Sequence, residues 1–584
     1  MLKIALAVLA LLIPAQALAG PAEEQALAGV VRDYDAWVLG DDPVSAGQGG
    51  DRAALARWPD VSLAADAARN EFLLGLQDRL RAIDASGLSE DSRLNHAFLR
   101  YVIDDRLQGL ALDAARLSAF SNDSGFHTLA GYLANTTPIN TEADARAYVA
   151  RLEGLPAYYA ANMALAERAA KTGLTQTADT TRLVLAQVRR QVAVAPAADP
   201  LLAPLSSMPA SIPAPRQAEL RARALAAVVR LREQQNAFAA FLETTYLPAA
   251  RPGLGISSAK GGRAYYRYAV RHFTTTQATP DEIHAVGLSE VARIRAEMEA
   301  TMREAGFTGT YPEFLAFLRS DPRFYATSRQ DLLEKASEIA KRIDDKLPRF
   351  FGTLPRLSYG VRPVPADIED GYTTGRYFPG SLKLGVAGGY MVNTSKLDQR
   401  PLYELPALTL HEAVPGHHLQ IALAQELEDA PAFRRDADVS AFVEGWGLYS
   451  EKLGVEMGIY RDPYERFGRL SYEMWRACRL VADTGIHWKG WTLDQARACF
   501  MENSALAPHN IETELARYVS WPGQALSYKT GEMKILALRA KAERALGERF
   551  DIRRFHDAVL LAGPLPLDLL EGRIERWIAA EKAR

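Results

Sequence analysis

Thr409–Gln420 reads TLHEAVPGHHLQ and gathers three of the chain's ten histidines, His411, His417 and His418, with Glu412 beside the first. Leu405, Leu408 and Leu410 before the histidines, and Leu419, Ile421 and Leu423 after them, recur at helical spacing and predict helix on both sides. Pro415 removes a backbone donor and disfavours helical geometry at Val414, while Gly416 is permissive. Pro415-Gly416 therefore predicts a break, after which a second helical segment starts with proline in its first turn. The break decides what the histidines can do. In the HExxH pattern two histidines four apart share one helical face, but here the later pair follows His411 by six and seven residues. On an unbroken helix His417 would lie roughly 120° around the axis from His411, and His418 about 10 Å along it. Imidazole is the commonest zinc ligand, and a neighbouring carboxylate can serve as general base. Sharing one metal requires the break; two capped helices carrying ordinary hydrogen-bonded histidines are the competing reading.

About thirty residues on, Ala441–Glu451 reads AFVEGWGLYSE, with Glu444 and Glu451 seven apart and so on one helical face. This stretch resembles the second zinc-helix motif of the thimet oligopeptidase family. The combination of HEAVPGHHLQ with EGWGLYSE resembles the bacterial family of unknown function DUF885, thought to be related to thimet oligopeptidase, carboxypeptidase Taq and angiotensin-converting enzyme. The likeness covers most of the chain and is strongest from about Tyr265 onward. It implies a mainly α, gluzincin-like metallopeptidase body enclosing a cleft, with a small β element at the rim. It further implies one zinc ion per chain held by His411, His417 and Glu444. His417 is preferred because His417-His418-Leu419 aligns with the His-x-Leu ending of HExxH in several relatives; His418 and Glu451 are then supporting residues or alternative ligands. Glu412 is the implied general base.

Other segments supply candidates around this centre. Leu357–Thr394 is rich in Gly, Pro and Tyr, and Lys383–Val386 and Tyr390–Asn393 read as a small sheet or hairpin. Relatives pair substrate backbone with a short edge strand, which makes Tyr390 and Asn393 candidate substrate-binding residues; a structural hairpin is the alternative. Arg479, Asp483 and His487 are four apart on one helical face. That spacing suggests a catalytic His487 oriented by Asp483, with Arg479 binding Asp483 or a substrate carboxylate, or else a plain ion-pair network. Tyr518–Lys529 resembles the family's tyrosine-bearing loop, which implies Tyr528 first, and Tyr518 second, as oxyanion donor or substrate contact.

The rest of the chain sets the context. Residues 1–19 read as a signal peptide, with Lys3, an apolar core over Ile4–Ile13 and Ala17-Leu18-Ala19 as the cleavage site, and predict export to a bacterial periplasm. No later run is long enough for a membrane span. The net charge of -3 argues against nucleic acid as partner. From Pro21 to about Ala250 apolar residues recur at helical spacing, interrupted by the proline-rich Ala195–Arg216. We divide the mature chain at 260, into an N-terminal helical region (20–260) and a catalytic helical region (261–584). His96 and His127 read as ordinary surface or core residues. Thr279, Pro280 and Glu282 form a capping box. Cys478 and Cys499, the two cysteines, are either one disulfide after export or two buried thiols. The expected function is zinc-dependent hydrolysis of short peptides. A metal-dependent amidase or esterase, or a non-catalytic periplasmic binding protein, are the alternatives.

Overall fold

The computed structural model describes residues 20–584 except 123, 366–368, 370, 371 and 384; the leader-like 1–19 lies outside them. Helices dominate, and one small sheet interrupts them between residues 359 and 392. The N-terminal helical reading holds in Leu63–Arg81, Glu142–Thr172 and Ala214–Phe241. The proline-rich stretch between the last two becomes short 3-10 turns at Pro196–Ala198 and Pro200–Leu205, as the missing donors dictate. Thr279 caps helix Pro280–Glu304 as expected: its hydroxyl accepts from Glu282 N–H while Glu282 accepts from Thr279 N–H at 2.8 Å. No helix among the described residues is long and apolar enough to cross a membrane.

The core does not divide at residue 260. Leu27, Leu76, Phe98 and Ile103 pack in one cluster with Ile294, Leu410, Trp446, Met474 and Ile574. Residues between Ala119 and Tyr246 form a cluster of their own. The first helices thus belong to the body that carries the metal motif. Long-range contacts do this. Phe433 packs against Tyr34 and Phe98 at centroid distances of 6.1 and 5.7 Å. The Asp35 carboxylate accepts from the Ala432 and Phe433 amides, and Arg434 pairs with Asp91 at 2.7 Å.

The sheet runs β1 (Tyr359–Pro363), β2 (Gly375–Phe378) and β3 (Gly388–Val392), in spatial order β1-β3-β2. β1 lies parallel to β3, and β2 antiparallel. The expected strand at Lys383–Val386 is not part of this sheet: Leu384 lies outside the described residues, and Val386 makes an isolated bridge to Ser381. Helices Pro463–Thr484 and Leu493–Asn503 are joined by a disulfide between Cys478 and Cys499, which resolves the open choice between bridge and thiols.

Candidate metal centre

The predicted break is present. One helix ends at Glu412 (Leu405–Glu412), Val414-Pro415 is cis, and the next helix begins at His417 (His417–Gln425). Pro415 lies before the second helix rather than in its first turn. The turn is closed from outside: the indole N–H of Trp446 donates to the Pro415 carbonyl at 2.8 Å, and His418 N–H donates to the Ala413 carbonyl at 3.0 Å. Helix Ser440–Glu456 packs across the break. Gly447 permits that approach, because a Cβ there would lie 2.6 Å from the His411 ring. The same helix crosses Ser527–Leu546 with Gly445 opposite Gly531, where a Cβ on Gly445 would come within 2.5 Å of the Gly531 Cα. The spaced glycines of EGWG thus let this helix close on the His411 ring and on the helix that carries Tyr528.

The break turns His411 and His417 toward each other, their rings perpendicular with centroids 4.7 Å apart. Glu444 Oε2 lies 3.4 Å from His411 Nε2 and 3.5 Å from His417 Nε2. Ligand atoms on His411, His417 and Glu444 fall within 4.8 Å of one another. Zinc bonds of about 2.0–2.2 Å in tetrahedral geometry put neighbouring donors roughly 3.3–3.5 Å apart, so the two measured edges fit a zinc-sized cation. The polar bookkeeping points the same way. Glu444 Oε2 and His417 Nδ1 are buried without a hydrogen-bond partner, a costly state that a metal at this cluster would relieve for the carboxylate. His411 Nδ1 is held at 2.8 Å by Glu451 Oε1, and Arg476 Nη2 lies 3.4 Å from the same oxygen. A carboxylate behind a ligating histidine fixes its tautomer and orientation. Burial opposes charge on His411, but the carboxylates of Glu444 and Glu451 outweigh it and push its pKa up to about 9. Burial likewise opposes charge on Glu444, yet His411 and His417 hold its pKa well below the ordinary range.

Glu412 sits beside this cluster with Oε2 accepting from the backbone N–H of Tyr377 at 2.7 Å. Its Oε1 makes no hydrogen bond to any described residue, so one oxygen is held and the other is available. Tyr528 stacks near His411, with centroids 6.4 Å apart at 21°. The Arg479 guanidinium lies 4.2 Å from the Tyr528 ring centroid and that of Arg476 5.8 Å. Among the described residues the Tyr528 hydroxyl has no partner. The next residue, Lys529, is buried among Glu290, Glu473 and Glu532 at 3.0, 2.8 and 2.6 Å and anchors the start of that helix.

Several expected site residues are committed elsewhere. His487 is fully buried; its Nδ1 accepts from Ile256 N–H at 3.0 Å and its Nε2 donates to the Tyr518 carbonyl at 2.9 Å. Burial, with Arg251 adding, lowers its pKa to about 3, which leaves it neutral and unsuited to proton transfer near pH 7. Asp483 does not orient it. That carboxylate accepts from Tyr266 O–H at 2.6 Å and from Gly523 N–H at 3.1 Å. A π-helical turn at Gly485–Lys489 breaks the four-residue spacing that suggested the pair. Arg479 is buried against Glu514 and donates its Nε–H to the Tyr518 hydroxyl, both at 2.8 Å, so the two side chains are engaged with each other and with Glu514. Tyr390 lies on the central strand, paired with Val361 on one side and Tyr377 on the other, and its hydroxyl meets Thr409 Oγ1 at 3.2 Å. Asn393 donates to the carbonyls of Glu369, Tyr372 and Thr373 and shapes the loop before β2. The strand at the site is instead β2, whose outward Tyr377 N–H reaches Glu412. Its signal in the sequence is short: GRYF, with Arg376 exposed between buried Gly375 and Tyr377. His418 reaches no metal ligand with its ring, because the Tyr377 hydroxyl at 3.0 Å and the Leu357 carbonyl at 3.0 Å occupy both its nitrogens.

Comparison with known proteins places this chain in a family. The model of the family described as "Bacterial protein of unknown function (DUF885)" matches residues 43–574. A solved structure from Colwellia psychrerythraea, described as a "putative lipoprotein", is similar at a TM-score of 0.89 and 27% identity, covering 96% of this chain and 99% of that one. A second, from Shewanella oneidensis and described as a "putative lipoprotein of unknown function", shares the fold at a TM-score of 0.72 and 18% identity, covering 95% and 99%. No curated protein matches.

Proposed function

The chain belongs to DUF885, a bacterial family of unknown function, and from that membership and the site geometry we propose that it is a zinc-dependent peptidase acting on short peptides. The reading rests on one observation: His411, His417 and Glu444 converge within 4.8 Å, with both edges from Glu444 at the length a tetrahedral zinc site needs, beside a Glu412 carboxylate that has one oxygen free of hydrogen bonds to described residues. His411 Nε2, His417 Nε2 and Glu444 Oε2 would hold one ion per chain. A zinc ion held by these three residues would supply Lewis acidity, enough to bring the pKa of a water molecule to about 7. Glu412 takes the proton of the attacking water and returns it to the leaving amine. Tyr528 donates its free hydroxyl to the oxyanion. Glu451 keeps the His411 ring in place. The outer edge of β2, which reaches Glu412, offers an extended peptide a strand to pair with.

We also assign the protein outside the cytoplasm. The leader-like N-terminus, the Cys478–Cys499 pair and the similarity to a chain described as a "putative lipoprotein" support this. Incubating the zinc-loaded protein with short peptides, acyl amides and esters tests the function. The reading predicts peptide cleavage that a chelator stops and zinc restores. Turnover of amides or esters alone would move it to another hydrolase class. Binding without turnover of any of them would overturn it.

A further inference from the structure

The second histidine of Pro415-Gly416-His417-His418 is used neither by the metal cluster nor by a residue touching it. Its ring fills a slot formed by all three strands. A carbonyl can only accept, so the bond to Leu357 O places the proton on Nε2, and Nδ1 accepts the Tyr377 hydroxyl. Tyr359 of β1 packs on the ring at 4.6 Å, and Tyr377 of β2 meets it at 5.5 Å and 64°. Gly388 of β3 leaves the room between them, since a Cβ there would lie 2.5 Å from the Tyr377 hydroxyl and 2.9 Å from His418 Nδ1. The residue so gripped, Tyr377, is the one whose backbone N–H holds Glu412 Oε2 at 2.7 Å.

The connection therefore closes a ring. Glu412 ends the helix before the break and His418 stands in the first turn after it; β2 spans the gap, fixed to one by its peptide and to the other by its side chain. We infer that His418 is a positioning residue for the general base: it fixes Tyr377, and the Tyr377 peptide fixes the Glu412 carboxylate. This rests on the peptidase reading only for the role of Glu412; the mechanical linkage stands apart from it. A small displacement of a catalytic group is enough to matter, since about 1 Å can cost on the order of 10²-fold in rate.

Tyr377→Phe keeps the ring and removes the hydroxyl; His418→Ala removes the partner, and His418→Gln keeps one donor and one acceptor. The expected result is a fall in kcat of roughly 10- to 10²-fold in the first two, with KM and zinc content unchanged and part of the loss recovered in His418→Gln. The two losses should not add in the double variant, because residues in one hydrogen-bonded path couple. Placed on a Glu412→Gln background, Tyr377→Phe should cost nothing further, since no base remains to be positioned. A crystal structure of zinc-loaded Tyr377→Phe gives a readout that needs no activity: the Glu412 carboxylate should be displaced from the 377 amide or disordered. If the wild type cleaves no peptide, the peptidase reading fails while this displacement still decides the linkage. An undisturbed Glu412 carboxylate, unchanged kcat, or loss of zinc in either variant would overturn the inference.

Discussion

Two regions of this molecule carry the same kinds of side chain and do opposite things. At the helix break, His411, His417 and Glu444 converge beside Glu412, and Glu444 Oε2 and His417 Nδ1 are buried without hydrogen-bond partners. Along helix Pro463–Thr484 and the turn after it, Asp483 and His487 present a similar pattern in sequence, yet every polar atom of these two side chains has a protein partner. Burial then drives them apart electrostatically. The pKa of His411 is raised to about 9 by Glu444 and Glu451 despite desolvation, whereas desolvation takes that of His487 down to about 3. Histidine beside a carboxylate is a weak signal by itself. Two histidines whose Nε2 atoms face a buried carboxylate oxygen without a hydrogen-bond partner are the stronger signal, and the proposed metal site rests on it.

The sharpest way to break this contrast is to disable the base alone. Glu412→Gln should retain zinc while turnover falls by about 10²- to 10⁴-fold, with little change in KM. Near wild-type turnover with zinc retained would remove Glu412 from the mechanism. Tyr528→Phe comes next: loss of an oxyanion donor should lower kcat by roughly 10²- to 10³-fold without altering metal content. An unchanged kcat would show that its hydroxyl serves no transition state. Glu451→Gln should weaken zinc affinity by about 10- to 100-fold, as losses behind a ligating histidine do; titration with a competing chelator reads this. The smallest functional effect belongs to the closed region. His487→Asn should lower the melting temperature but leave zinc stoichiometry and kcat per folded molecule near wild type. A selective loss of kcat would restore His487 as a catalytic candidate.

The contrast also explains what could be read in advance. The mainly α architecture and the break at Pro415-Gly416 were legible in helical periodicity and an obligatory helix breaker, whereas the set His411, His417 and Glu444, which the structure brings together, was implied only by the family resemblance. The edge strand was not legible. Which of Tyr377 and Tyr390 lies outermost depends on β1 pairing with β3, a contact made across residues 359–392 that local alternation does not encode. The partners of His487 are as hard to read locally: Ile256 and Tyr518 stand 231 and 31 residues away. Nor does local pattern encode the packing of Phe433 on Tyr34 and Phe98, which joins the first helices to the body that carries the histidine motif.

Proton competition gives the comparison a solution counterpart. His411 must be unprotonated to bind a metal, and its neighbours raise its proton affinity in the metal-free centre. Zinc affinity should therefore rise by about tenfold per pH unit below about 9 and level off above it, with release of a proton on binding. His487, already neutral, should add nothing to this slope. Calorimetry in buffers of different ionisation enthalpy measures the released proton, and an affinity independent of pH from 6 to about 8 would contradict the coupling.

The most direct test of the metal-centre account is the zinc stoichiometry of four purified proteins side by side: wild type, His411→Ala, Glu444→Ala and His487→Asn. The account predicts about one zinc per chain in the wild type and in His487→Asn, and none tightly held in the other two. Equal occupancy in all four, or loss in His487→Asn with retention in His411→Ala, would contradict it.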